Sequence, residues 1–165
     1  MKYLKILSGL LIAYTLNSCG ILPDALPDET QSGKNTFGCL INGKVFSTDD
    51  MTGDFYKTGF NIDTFKDDGS GIGIGIDTLK VGGLGTYRII KKNMFNYSDG
   101  KCGRGAVTPP INATITITKF EWGEDKPNNL RWLIVSGRFE GILPPDTECK
   151  DTVKITQGRF DMKLQ

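Results

Sequence analysis

From Thr36 onward, apolar and polar residues alternate along most of the chain. Successive side chains of a strand point to opposite faces, so a period of two predicts strands with one buried face each. Phe37, Cys39 and Ile41 share a face of the first such run, which meets Asn42-Gly43 before Lys44 to Ser47 resumes the pattern. An Asn-Gly pair between strands suits a type I′ hairpin, whose two central residues both need positive φ. Phe55 to Phe65 reads as one further extended segment, closed by the turn residues Lys66-Asp67-Asp68-Gly69-Ser70-Gly71. Next, Ile72, Ile74 and Ile76 alternate with Gly71, Gly73 and Gly75. One face of that strand is isoleucine and the other bare backbone, over which a neighbouring aromatic is expected to lie.

Further strands are predicted at Thr86 to Lys91, Ala113 to Trp122, Leu130 to Glu140 and Thr152 to Leu164. In the second of these the apolar parity changes from Ile115 and Ile117 to Phe120 and Trp122, which a bulge near Lys119 would produce. Across Gly158 the parity changes again, from Val153 and Ile155 to Phe160, Met162 and Leu164. Trp132-Leu133-Ile134-Val135 is apolar on both faces, as a central strand covered on both sides would be. Beyond the leader no amphipathic helical stretch is found. The expected class is all-β, an antiparallel β-sandwich first and a β-barrel as the alternative.

The first residues follow another rule. Lys2 and Lys5 form a basic head, Ile6 to Leu16 an apolar run, and Leu16-Asn17-Ser18-Cys19 a small-residue cleavage site with cysteine directly after it. A membrane span needs about 20 apolar residues and this run is far shorter. Residues 1–18 therefore read as a lipoprotein signal peptide and Cys19 as the lipidated first residue of the mature chain. That implies a palmitate-type anchor in the cell envelope, at the outer membrane, on its periplasmic or surface face. Several acyl chains make release negligible, since each buried methylene contributes about 0.8 kcal/mol. Residues 19–35, with two prolines among polar residues and no period, read as a flexible tether. Residues 36–165 suffice for one β domain with a sizeable core.

Loss of the leader removes two lysines and no acid, so the formal charge moves from +1 to −1. No basic surplus remains to suggest nucleic acid or anionic lipid as a partner. The chain contains no histidine. That excludes Ser-His and Cys-His nucleophile systems and histidine metal sites. Paired carboxylates survive that filter, and a glycosidase needs only two flanking a sugar. Gly71-Ile72-Gly73-Ile74-Gly75-Ile76 lacks the final glycine of a dinucleotide loop and opens no helix, and Gly33-Lys34-Asn35-Thr36 lacks the upstream glycine of a P-loop. Asp67-Asp68-Gly69-Ser70 lacks the twelve-residue calcium-loop pattern, so a solvated turn is the expectation there. No metal and no cofactor are expected. With Cys19 lipidated, Cys39 reads as a buried thiol and Cys102 with Cys149, both among loop residues, as the candidate disulfide.

Two sequence features bear on binding. Gly137-Arg138-Phe139-Glu140 and Gly158-Arg159-Phe160-Asp161 are near copies, read as related strands with core phenylalanines and solvated charges, the other reading being a paired charged ligand surface. Glu121-Trp122-Gly123-Glu124-Asp125-Lys126-Pro127-Asn128-Asn129 is the candidate ligand-binding loop: Trp122 could stack on a sugar while Glu121, Asn128 and Asn129 hydrogen-bond its hydroxyls. Alternatively Trp122, sharing parity with Phe120, closes the core.

Asn35-Thr36-Phe37-Gly38-Cys39-Leu40-Ile41-Asn42-Gly43-Lys44-Val45-Phe46 resembles the opening of a family of Bacteroidota lipoproteins known as a domain of unknown function. Thr114 to Phe120, Ile134 to Phe139 and Asp151 to Asp161 are similar to its closing half, while Ser47 to Val107 matches only loosely. The resemblance implies a lipid-anchored extracytoplasmic β domain and supplies no catalytic residue. The function expected is a non-catalytic binding or structural role in the envelope, with the membrane and a glycan or envelope protein as partners. A small carbohydrate-active enzyme using paired carboxylates is the alternative.

Overall fold

In a computed structural model, the structure describes residues 25–165 except 57, 78, 80–82, 90–93, 106–109, 129, 146 and 148. Cys19 and the leader lie outside the described residues. Eleven strands are described: β1 Thr36–Ile41, β2 Lys44–Thr48, β3 Met51–Tyr56, β4 Gly59–Thr64, β5 Ser70–Ile76, β6 Gly85–Arg88, β7 Phe95–Asp99, β8 Gly103–Arg104, β9 Ile111–Asp125, β10 Leu130–Leu143 and β11 Val153–Leu164. They form two antiparallel sheets, of order β2-β1-β11-β10-β9-β6 and β3-β4-β5-β7-β8. The sheets pack face to face and do not close into a barrel.

Local chemistry accounts for the registers. Asn42 and Gly43 take φ of 50° and 82°, as the two-residue β1–β2 turn requires. On β9 the register shifts opposite Ser136 and Gly137, which pair with Lys119 and Ile117 and leave Thr118 as the extra residue. On β11 a second shift falls between Gly158 and Ile155, where Gln157 takes φ 53°. Each bulge rotates the following residues by one face, so both halves of each strand bury their apolar side.

Three strand expectations are corrected. Phe55 to Phe65 is not one extended segment but a hairpin, with Tyr56 paired to Gly59 and Phe55 to Phe60. Among the described residues, no aromatic ring atom is a nearest neighbour of the β5 glycine positions. A Cβ on Gly73 would meet the Asn96 and Asp63 side-chain oxygens, and one on Gly71 the Thr64 carbonyl. Polar neighbours and close backbone, rather than a ring, require glycine there. The short strands β7 and β8 carry no alternation long enough to read.

The core lies between the sheets. Phe37, Phe139, Phe160 and Phe95 form its aromatic centre, with Phe139 at 4.9 Å from Phe37, 6.2 Å from Phe95 and 6.3 Å from Phe160 between ring centroids. Ile62, Ile72, Ile74, Ile115, Leu133, Ile155 and Leu164 fill in around them. Cys39 is a buried free thiol whose pKa burial pushes up to about 12, so it is a packing residue and not a nucleophile. Cys102 and Cys149 are joined as a disulfide, Cα atoms 5.9 Å apart.

The near-duplicate motifs are cross-strand neighbours. Gly137 pairs with Phe160, Arg138 with Arg159 and Phe139 with Gly158. Each glycine makes room for the opposite ring: a Cβ on Gly158 would lie 2.6 Å from Phe139 Cδ2, and one on Gly137 2.9 Å from Phe160 Cζ. The repeat is thus a self-complementary pairing that seats two core rings and sets two arginines side by side on the outer face.

Candidate functional site

The loop singled out in the sequence does not assemble into a site. Trp122 pairs with Leu133 on the face turned toward the second sheet. Its ring sits edge-on to Phe55 at 4.9 Å and to Phe120 at 5.9 Å, with the Arg131 guanidinium 5.2 Å above it. Trp122 stays 38 % exposed because it closes the open end of the core. Glu121, one residue away, points to the opposite face, where it pairs with Lys119. The Asn128 amide donates to Asp125 Oδ2 at 2.7 Å and so holds its own turn. Asn129 lies outside the described residues. Trp122→Ala is therefore expected to lower stability by about 2–3 kcal/mol, less than the ~3–5 kcal/mol of a fully buried tryptophan, measurable by denaturant unfolding.

The most developed polar cleft lies on the outer face of the six-stranded sheet, and residues 25–35 build part of it. This stretch of the expected tether runs across β1, β11 and β10. Pro27 sits over Gly38, where a Cβ would be 2.5 Å from its ring, and its carbonyl accepts a bond from Arg159 Nη1 at 3.1 Å. Glu29 accepts from Arg138 Nε at 3.1 Å and Nη2 at 2.7 Å, both on Oε2. Gly33 lies against Ile134 and Lys163, and Asn35 Oδ1 accepts from Lys163 N at 2.9 Å.

Asp161 is the residue that fastens this segment. It is 1 % exposed and accepts from the Thr30 hydroxyl at 2.5 Å, the Ser136 hydroxyl at 2.6 Å, and the Gly33, Ser32 and Lys34 amides at 2.8, 3.1 and 3.1 Å. Burial alone would raise its pKa, but the Ser136 and Thr30 hydroxyls and the Gly33 and Lys34 amides hold it below the ordinary carboxylate value. A carboxylate fully occupied in this way is a structural clasp. Sequence reasoning placed Asp161 on a solvated charged face, because nothing in the local pattern reveals a partner about 130 residues away.

Beside the clasp, a cleft of about 410 Å³ is lined by Glu29, Thr114, Thr116, Arg138, Glu140 and Arg159, among others. A second cavity of about 220 Å³ lies on the other side of the Glu29–Arg138 pair, and Glu29, Arg138 and Arg159 line both. Arg138 is exposed, whereas Arg159 Nε is buried with no hydrogen-bond partner among the described residues. Two guanidiniums directly opposite on neighbouring strands repel one another unless an anion lies between or beside them. The cleft also holds two carboxylates, Glu29 and Glu140, but Glu29 is committed to Arg138 and the exposed Trp122 belongs to the opposite face of the sheet.

Elsewhere, Asp68 Oδ1 accepts from Ser70 N at 2.8 Å within its own turn. Among the described residues no group of three or more acidic or cysteine side chains could hold a metal ion. Comparison with protein-family models, curated proteins and solved structures gives no match to this chain.

Proposed function

We propose that the chain is a lipid-anchored protein of the cell envelope, held in the outer membrane through Cys19, whose β-sandwich is a non-catalytic binding domain. The observation that carries this reading is the pairing of a lipoprotein-type leader with a downstream segment clasped onto one sheet face. From Cys19 to the first docked residue, Pro27, is eight residues, a reach of at most about 29 Å. The arginine-lined cleft therefore works close to the bilayer. Phe139 and Phe160, which flank the arginines in sequence, are core residues, so the cleft stands on a rigid floor.

The small carbohydrate-active enzyme is the second reading, and it is less supported. One of the two cleft carboxylates is tied to a guanidinium, and the aromatic that lines the cleft, Phe139, is a buried core residue and not an exposed stacking platform. A glycan or envelope protein bound without chemistry fits better.

The anchor is tested by growing cells on labelled fatty acid. Wild-type chain should acquire label and Cys19→Ala should remain an unprocessed, unlabelled precursor. Label in the variant, or none in the wild type, would refute the lipoprotein assignment.

A further inference from the structure

We propose that the cleft between Arg138 and Arg159 is a binding site for a phosphate-type oxyanion, and that the Glu29 carboxylate occupies part of that site as an intramolecular stand-in. The inference rests on the cleft geometry and not on acylation, so the fatty-acid experiment and the one below can fail separately.

Three observations converge. Arg138 and Arg159 are direct cross-strand partners, which brings two guanidiniums onto the same face one strand spacing apart. Neither is paired to an acid from its own sheet; the structure instead brings Glu29 about 109 residues through the sequence to Arg138 and a backbone carbonyl to Arg159. Arg159 Nε is buried and has no hydrogen-bond partner among the described residues. Glu29, Arg138 and Arg159 also line both neighbouring cavities, of about 410 and 220 Å³, so both arginines border the space on each side of the Glu29 carboxylate.

The chemistry of that space favours a tetrahedral oxyanion. Two forked guanidiniums match tetrahedral oxyanions with several oxygens, and Thr114 on the neighbouring strand also lines the cleft, whereas the Thr116 hydroxyl is shared with Thr86 at 2.9 Å. Glu140 lines one cavity and Asp28 the other, so with Glu29 displaced two carboxylates balance the two arginines, and the site selects an oxyanion by its forked donors and not by net charge. Displacement leaves the segment in place, because Asp161 holds residues 30–34 independently of Glu29. An exposed ion pair is worth no more than a factor of about five in an equilibrium, so an anion can compete with it. The phosphate could belong to a free metabolite or to a lipid headgroup, both within reach of a membrane-proximal cleft.

The test uses full-length chain purified in detergent, titrated calorimetrically with inorganic phosphate against sodium chloride of equal ionic strength. Wild type should bind phosphate weakly, Glu29→Gln about fivefold or more tightly, and Glu29→Gln with Arg138→Gln not at all. Circular dichroism melts establish that each variant is folded. A parallel arm measures co-sedimentation of the Cys19→Ala protein and its Arg138→Gln derivative with phosphatidylglycerol vesicles. Arg138-dependent phosphate binding that Glu29→Gln tightens supports the site, and Arg138-dependent vesicle binding in addition assigns the source to a lipid headgroup. Phosphate affinity unchanged by Glu29→Gln, or phosphate binding that does not depend on Arg138, would overturn it.

Discussion

Phe139→Ala is expected to destabilise the sandwich by about 3–5 kcal/mol, the usual cost of emptying a buried aromatic site. Phe139 is 2 % exposed and packs against Phe37, Phe95 and Phe160, so both sheets lose contacts at once. Its ring also fills the space left by Gly158 on the adjacent strand. Domains of this size are stable by only about 5–15 kcal/mol, so the variant should be marginal near physiological temperature. Urea unfolding of wild type and variant measures the difference. A loss under 1 kcal/mol would mean that the aromatic centre repacks around the gap.

Asp161→Ala should be nearly as damaging, at about 3 kcal/mol, through orphaned donors and not a cavity. The buried Ser136 hydroxyl loses its acceptor, and the Ser32, Gly33 and Lys34 amides lose theirs. Residues 30–34 should then detach, read as faster amide hydrogen exchange there while β10 and β11 stay protected. Asp161→Asn isolates the charge. Because the folded pKa lies below the ordinary value, ionised Asp161 contributes stability above pH ~4, and this is lost as pH falls through the folded pKa. The wild-type melting temperature should therefore drop over that acid range more steeply than that of Asp161→Asn. Parallel acid limbs would show that the clasp does not depend on ionisation.

The candidate site shows why part of the molecule was legible and part was not. The Gly-Arg-Phe repeat was visible in the sequence, and so was the inward placement of Phe139 and Phe160, since a strand fixes the face of each residue by parity. That the two copies pair register for register, opposing Arg138 to Arg159, depends on which strands become neighbours. Trp122 illustrates the reverse: its parity marked it for the inner face, but only the position of Phe55 on the other sheet makes it an edge cap. Residues 25–35 had no period and read as a linker. Their docking comes from Asp161, Arg138 and Arg159, which lie more than a hundred residues away.

By itself, then, the sequence determined what short-range physics controls: an all-β chain, the Asn42-Gly43 hairpin, the two parity switches at bulges and the burial of Cys39. Each follows from side-chain alternation or from the φ that a given residue tolerates. Tertiary structure alone decided the division into two sheets, the turn that splits residues 51–64 into a hairpin, the polar cover over the β5 glycines, the clasp at Asp161 and the arginine cleft. These depend on contacts between residues far apart in the chain, where the free energy lies in which surfaces meet, and no local pattern encodes that choice.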